Sequence, residues 1–209
     1  LNAAGKHSSS RGWGIGALNE TRHTWVLSRL SIELSEIPRQ YETFTVSTWV
    51  ESVMRLFTNR NFAIRRPDGT PYGFARSIWA MIDLETRKPC DLLTLYDGDI
   101  LNYVVEAEDN DCPIAPFDRF RIKDATLVRT IDTHYSDVDI NGHINSIKYI
   151  EHILDLFPAE PYRTGLHRFD IAYKAEAYMG DRLALYMQQD AEHSYCVEVR
   201  KEADPTVVC

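Results

Sequence analysis

Long apolar runs are missing from this 209-residue sequence. The longest, residues 78–82 (IWAMI), is far shorter than the ~20 residues a membrane-spanning helix needs. No secretory or transit pattern precedes the first strand-like segment, so a soluble, cytoplasmic protein is expected. Cysteine is scarce too: Cys90, Cys112, Cys196 and Cys209 form no CxxC pair and no metal spacing, which points to free thiols in a reducing compartment. Bases are the rarer charge, 23 Lys+Arg against 31 Asp+Glu for a net −8, which argues against a nucleic-acid binder working through bulk charge. There is no GxSxG and no P-loop. The glycine cluster GWGIG (residues 12–16) has no strand before it and reads as a loop, not a nucleotide fingerprint. What is present, 44% hydrophobic and 26% charged residues, suits a packed globular chain and not a disordered one.

The charge is unevenly placed. Residues 1–90 carry +4, residues 91–118 carry −8 with no base at all, and residues 119–209 carry −4. The acidic middle, with Pro113 and Pro116, reads as a linker, although residues 100–105 could dock on a surface as a short helix or strand. This gives an N-terminal domain over 1–90, a linker over 91–118 and a C-terminal domain over 119–209. The sequence starts at Leu1 without methionine, and residues 1–10 read as the tail of a helix. The first domain is therefore expected to lack its beginning, and the second, whose last strand starts at Thr206, its end.

Branched and aromatic residues predict strands at 24–34, 41–50, 61–66 and 72–84, the last two joined across PDGT (67–70) as a hairpin. The second half predicts a strand at 125–135 and then a helix. Ile147, Ile150, Ile153, Leu154 and Phe157 fall at helical spacing, Asn145 can cap the start, and Pro158 stops it. Strands at 165–173, 182–189 and 194–200 follow. At an offset of 139 residues Arg29 meets Arg168, Ile32 meets Ile171, and Phe44 and Val46 meet Leu183 and Leu185. The shared order of helix then antiparallel strands suggests a duplicated α+β unit. The expected fold is a tandem hot dog: two antiparallel sheets, each wrapped around a central helix.

The densest chemistry is SDVDINGHIN (136–145). Asp137, Asp139, Asn141, His143 and Asn145 occupy every second position, which in an extended segment aims all five at one side. The helix opening near Asn145 would add N–H groups for a developing oxyanion, with Gly142 and Asn145 as contributors. Three readings compete. An Asp/Asn-rich loop capping a helix needs no catalysis. DxDxNG also opens an EF-hand loop, but Lys148 stands where the bidentate glutamate belongs, so no metal and no other cofactor is expected. The third reading is acyl-transfer catalysis.

The stretch DVDINGHINSIKYIEHIL (137–154) closely resembles the motif of acyl-acyl carrier protein (acyl-ACP) thioesterases. WVLSRLSIEL (25–34), VSTWVES (46–52), Asn59–Arg60 and SIWAMIDLETRKP (77–89) resemble first-domain blocks of that family, and FDIAYKAEAYMGD (169–181) resembles its glutamate-bearing strand. By matching positions the resemblance places the family's catalytic residues on Asp139, Asn141, His143 and Glu176. Plant members often carry a cysteine after that glutamate; Ala177 stands there here, so a cysteine mechanism has no nucleophile at this site. Cys196 reads as a small buried strand residue.

The resemblance implies hydrolysis of fatty acyl-ACP to free fatty acid, with the acyl chain in a first-domain tunnel for which Phe44, Trp49, Met54, Trp79 and Met81 are lining candidates. The implied partner is acyl carrier protein bearing a phosphopantetheine-linked chain, an acidic protein that would dock on bases: Arg119, Arg121, Lys123 and Lys148, with Lys6, Arg11, Arg65 and Arg66. No nucleic acid or membrane partner is expected, and a homodimer stays open. So do two other functions, a hot-dog thioesterase preferring acyl-CoA and a catalytically silent acyl-binding module. A hot-dog hydratase fits less well, because its D-x₄-H spacing finds no histidine from either Asp137 or Asp139.

Overall fold

Alternation of branched and aromatic residues builds two antiparallel sheets. The computed structural model of the chain describes residues 1–106, 110, 112–117, 122–158, 167–204 and 206–209. Two compact units emerge: unit 1 comprises Leu1–Phe117 with Gly165–Asp170, and unit 2 comprises Asp118–Thr164 with Ile171–Cys209.

Unit 1 opens with helices α1 (Asn2–Ser9) and α2 (Ile15–Glu20), then strands β1 (His23–Leu34), β2 (Thr45–Val53), β3 (Phe57–Arg65) and β4 (Pro71–Asp83). The sheet runs β2-β3-β4-β1-β6, the last strand being Arg168–Ala172. Its Arg168–Asp170 portion belongs to unit 1, where Arg168 pairs with Glu33 at 2.5 Å and Asp170 hydrogen-bonds Ser31. Ser31 and Asp170 are themselves 139 residues apart, the spacing of the sequence repeat. The PDGT hairpin forms as expected, with Arg66 N–H donating to Thr70 O at 2.8 Å and Gly69 at φ +90°.

Register decides which side chains meet under the helices. Val50 sits opposite Arg60, Arg60 opposite Ser77, and Thr58 opposite Trp79, so these share one face of the sheet. Trp25 faces Met81 across β1 and β4. On this face Trp13, Leu18, Met81, Leu92 and Ile100 form a buried cluster, with Trp25, Val53 and Tyr103 packed against it. The acidic stretch after residue 90 is therefore no free tether. Leu92, Ile100 and Ile114 are buried, and Val105 N–H donates to Val50 O at 2.9 Å. The apolar residues in that stretch are drawn inward, while its described acids, Asp91, Asp97, Asp99 and Glu106, keep at least part of their exposure.

Unit 2 contains β5 (Thr126–Asp132), a 3₁₀ turn (Tyr135–Asp137), α3 (Ser146–Leu154), β7 (Arg182–Ala191) and β8 (Ser194–Lys201), with sheet order β5-β7-β8. Leu183, Leu185 and Val199 are fully buried or nearly so. The segment from Thr206 adds one bridge, Val207 to Arg200. Asn145 caps α3 as its sequence predicts, its Oδ1 accepting the Ile147 N–H at 3.0 Å. Cys196 is buried, its Sγ 2.9 Å from Asp190 Oδ2, and burial pushes the thiol up to about 11. Among the described residues no helix is long and apolar enough to cross a membrane.

Candidate active site

The alternating motif in unit 2 is folded, not extended. Val138 and Ile144 bridge antiparallel, and the residues between them close a tight loop. Asp139 N–H donates to His143 O at 2.8 Å and Gly142 N–H to Asp139 O at 3.1 Å. The Asp139 carboxylate turns back on its own loop, where Oδ1 accepts the N–H of Asn141 at 2.8 Å and of His143 at 3.2 Å. Aspartate favours this turn because its short side chain can reach backbone two residues on. Gly142 supplies the left-handed φ of +82° that lets the loop close.

This folding corrects two expectations. Five polar groups do not share one side. Asp137 is buried and caps the 3₁₀ turn, accepting the His134 N–H at 2.7 Å, while Asn145 caps α3. Only Asp139, Asn141 and His143 remain in the loop. Nor do Gly142 and Asn145 offer open N–H groups to an oxyanion: the first donates to Asp139 O and the second to Asp137 O at 2.8 Å. A tight turn consumes its own donors, and periodicity alone does not reveal the turn. Among the described residues no group of three His, Cys, Asp or Glu side chains is arranged to hold a metal ion.

A second segment comes alongside. Ile144 N–H donates to Ala177 O at 2.9 Å, and His143 bridges Tyr178. Glu176 Oε1 thereby lies 3.4 Å from His143 Nδ1. Both side chains are partly exposed, at 24% and 35%, so the pair stays reachable by substrate and water. Ala177 is fully buried beneath them. Asp139, Asn141, His143 and Glu176 therefore belong to one loop and the strand-like segment bridged to it.

Unit 1 holds a separate cavity of about 710 Å³ between its helices and sheet, in the size range of small-molecule sites. Trp79 lines it, along with Trp25, Val50, Thr58 and Arg60. The other lining candidates are placed elsewhere. Met81 shares the face but is sealed in the core cluster. Trp49 points from the opposite face, its Nε1 donating to Asn110 Oδ1 at 2.7 Å. Phe44 and Met54 are each 46% exposed, Phe44 just before β2 and Met54 just after it. Strand alternation sorts residues into two faces without saying which face is covered.

His7 stands at the cavity wall, and its imidazole is pushed down to about 4 from 6.5 by burial, with Arg60 and Arg11 adding to it. The unfolded chain then takes up a proton that the folded one refuses. Stability should fall as pH drops from 6.5 toward 4, with no contribution from His7 above 6.5. Melting scans of the wild type and His7→Gln should show a steeper acid loss in the wild type over that window. Parallel curves would contradict it.

Sequence models of a known family match most of the chain: the acyl-ACP thioesterase N-terminal domain over residues 1–96 and the acyl-ACP thioesterase C-terminal domain over residues 121–204. The chain belongs to the acyl-ACP thioesterase family. The crystal structure of an acyl-ACP thioesterase from Bacteroides thetaiotaomicron is 53% identical, with a TM-score of 0.90 over 100% of this chain and 83% of that one. The 12:0-ACP thioesterase from Umbellularia californica has a TM-score of 0.82 over 99% of this chain and 83% of that one; at 18% identity it speaks for the fold alone. A chloroplastic palmitoyl-acyl carrier protein thioesterase of Arabidopsis thaliana is 28% identical over 64% of this chain and 33% of its own length. The chain thus spans about a third of the length of the first curated relatives it matches. Its two antiparallel sheets are the tandem hot-dog fold of this acyl-ACP thioesterase family.

The basic candidates of this family member fall in different surroundings. Arg119 and Arg121 lie outside the described residues. Lys123 is exposed. Lys148 pairs with Glu151 at 2.8 Å, and Arg66 with Glu36, which reduces the positive charge each presents. The Arg65 guanidinium lies over Phe74, and Lys6 and Arg11 line the cavity.

Tyr178 escaped the sequence reading. Its hydroxyl lies 3.4 Å from Glu176 Oε2 and its ring meets the His143 imidazole edge-on at 5.2 Å. Asp181 Oδ2 holds the Tyr178 N–H at 2.9 Å. The available signal was its position two residues after Glu176, on the same side of an extended segment. Tyr178→Phe loses one long hydrogen bond to a carboxylate. It is expected to lower kcat about two- to tenfold with KM little changed. Steady-state kinetics check this, and an unchanged kcat would remove Tyr178 from the site.

Proposed function

We propose that this chain hydrolyses the thioester of fatty acyl-ACP to free fatty acid and carrier. The observation that carries the reading is the loop of Asp139, Asn141 and His143 bridged to Glu176, in a chain of this family. One water molecule is consumed. Its oxygen bonds to the carbonyl carbon, the C–S bond breaks, and the thiolate leaves and takes a proton. Asp139, held by two backbone N–H groups, either attacks the carbonyl itself or serves as base toward water. His143 and Glu176 position and activate the water, and the Asn141 amide, exposed on the loop, orients the carbonyl. Single turnover quenched on the millisecond scale separates the two routes: the acyl mass found on Asp139 marks a covalent acyl-aspartate, and an Asp139 free of it throughout thiol release marks direct attack.

The fatty acyl chain occupies the unit 1 cavity in this reading, and the acidic carrier docks on exposed bases such as Lys123. The test is release of free thiol from palmitoyl-carrier and palmitoyl-CoA across a salt series. Preference for the carrier substrate, weakening with salt much more than hydrolysis of a small thioester does, is the expected result. Preference for palmitoyl-CoA, or no release from either, would overturn the reading.

A further inference from the structure

The unit 1 cavity contains a feature that hydrocarbon binding does not require. Its wall includes Lys6, His7, Arg11 and Arg60 and, among the described residues, no aspartate or glutamate. Arg60 keeps only 7% of its exposure, yet among the described residues no carboxylate pairs with it. Its guanidinium reaches neutral oxygens instead: Nη1 to Thr48 Oγ1 at 3.2 Å, and Nη2 to Ser8 Oγ at a long 3.5 Å. Its charge, met by neutral partners alone among the described residues, is open to an incoming oxygen acceptor. Burial, with help from Arg11, pushes Arg60 down to about 10, so it remains charged at neutral pH.

The neighbouring histidine sharpens the deficit. The imidazole stands between two guanidiniums, with Nε2 3.1 Å from Arg11 Nε and Nδ1 3.2 Å from Arg60 Nη1. A neutral ring has one accepting nitrogen, so it cannot accept from both, and one of the two contacts is left donor against donor. The wall also carries the apolar Trp79, Val50, Trp25 and Ile100, which suit a hydrocarbon chain. A plain methylene chain reaching this point would bring Arg60 no acceptor. An oxygen on the chain would accept from Arg60 and leave the ring's one accepting nitrogen to Arg11, with Nδ1–H then free to donate to the same oxygen.

We propose that the unit 1 cavity is built for acyl chains bearing an oxygen function, a carboxylate or a hydroxyl, which Arg60 and His7 bind. The inference rests on the acyl-chain reading of that cavity and narrows its substrate class. Arg60 is a specificity-determining residue here and takes no part in the thioester chemistry of unit 2.

The test uses the whole chain and three amide analogues of acyl-N-acetylcysteamine of equal length, ending in methyl, hydroxyl or carboxylate. They cannot be hydrolysed and carry no phosphate. Binding is read from tryptophan fluorescence, since Trp13, Trp25 and Trp79 line the cavity. The wild type should bind an oxygen-ended analogue at least as tightly as the methyl-ended one, and Arg60→Met should shift that ratio about tenfold or more toward methyl. The arm that responds, hydroxyl or carboxylate, identifies the oxygen function. Methyl-ended binding about tenfold tighter in the wild type, or a ratio unmoved by Arg60→Met, would reduce Arg60 to a strut for α1 and overturn the proposal. If Arg60→Met does not fold, the wild-type ratio alone decides. Binding of none of the three would instead sink the acyl-chain reading itself, and this proposal with it.

Discussion

Asp139→Asn is expected to abolish most thioester hydrolysis while leaving the fold intact. The asparagine oxygen can still accept the N–H groups of Asn141 and His143, which Asp139 Oδ1 now holds at 2.8 and 3.2 Å. The loop therefore keeps its closing bonds, with Gly142 at φ +82° unchanged. What disappears is the negative charge, and with it the nucleophile or base of the proposed mechanism. Loss of a positioned acid–base group costs about 10²–10⁴-fold in rate. The variant should show that loss in kcat, an ordinary melting curve and nearly unchanged KM. Activity within about threefold of wild type would mean that Asp139 is a turn residue and nothing more.

The second large effect is on stability. Met81 is fully buried among Trp13, Leu18, Leu92 and Ile100. Met81→Ala leaves a hole that this rigid surround fills poorly, at a cost of about 2–5 kcal/mol. For a chain of this size the melting midpoint should drop by roughly 4–20 °C. Met54, also proposed from sequence as a tunnel residue, is 46% exposed beside the β2–β3 turn. Met54→Ala should change stability by less than about 0.5 kcal/mol. Equal losses at the two methionines would contradict the burial that separates them.

These two methionines also illustrate what a sequence conceals. Composition and alternation identify strands and distinguish their two faces, and the strands β1 to β5, β7 and β8 lie close to where the pattern puts them. Neither says which face a helix covers. That depends on α1 and α2, and α2 has only Leu18 buried and no side-chain cap, so its six residues carry little helical signal. Helix α3 is legible because its cap and its apolar spacing agree, although it ends at Leu154, short of the Phe157 and Pro158 that the pattern gives as its end. In the motif at 136–145, the residue types were informative and the geometry was not. A period of two fits a strand, but the Asp139 side chain competes for backbone and folds the segment into a turn. Asp137 and Asn145 then serve as caps. Glu176 was found through the family resemblance. Tyr178, two positions away, needed the bridge to His143 to be seen.

The central claim is that one small surface of unit 2, with His143 3.4 Å from Glu176, performs the hydrolysis. Single-turnover release of free thiol from palmitoyl-carrier by the wild type, His143→Ala and Glu176→Gln tests it most directly. The account predicts release by the wild type and a loss of about 10²-fold or more in each variant, with carrier binding retained. Near-normal release by both variants, or none by the wild type, would contradict it.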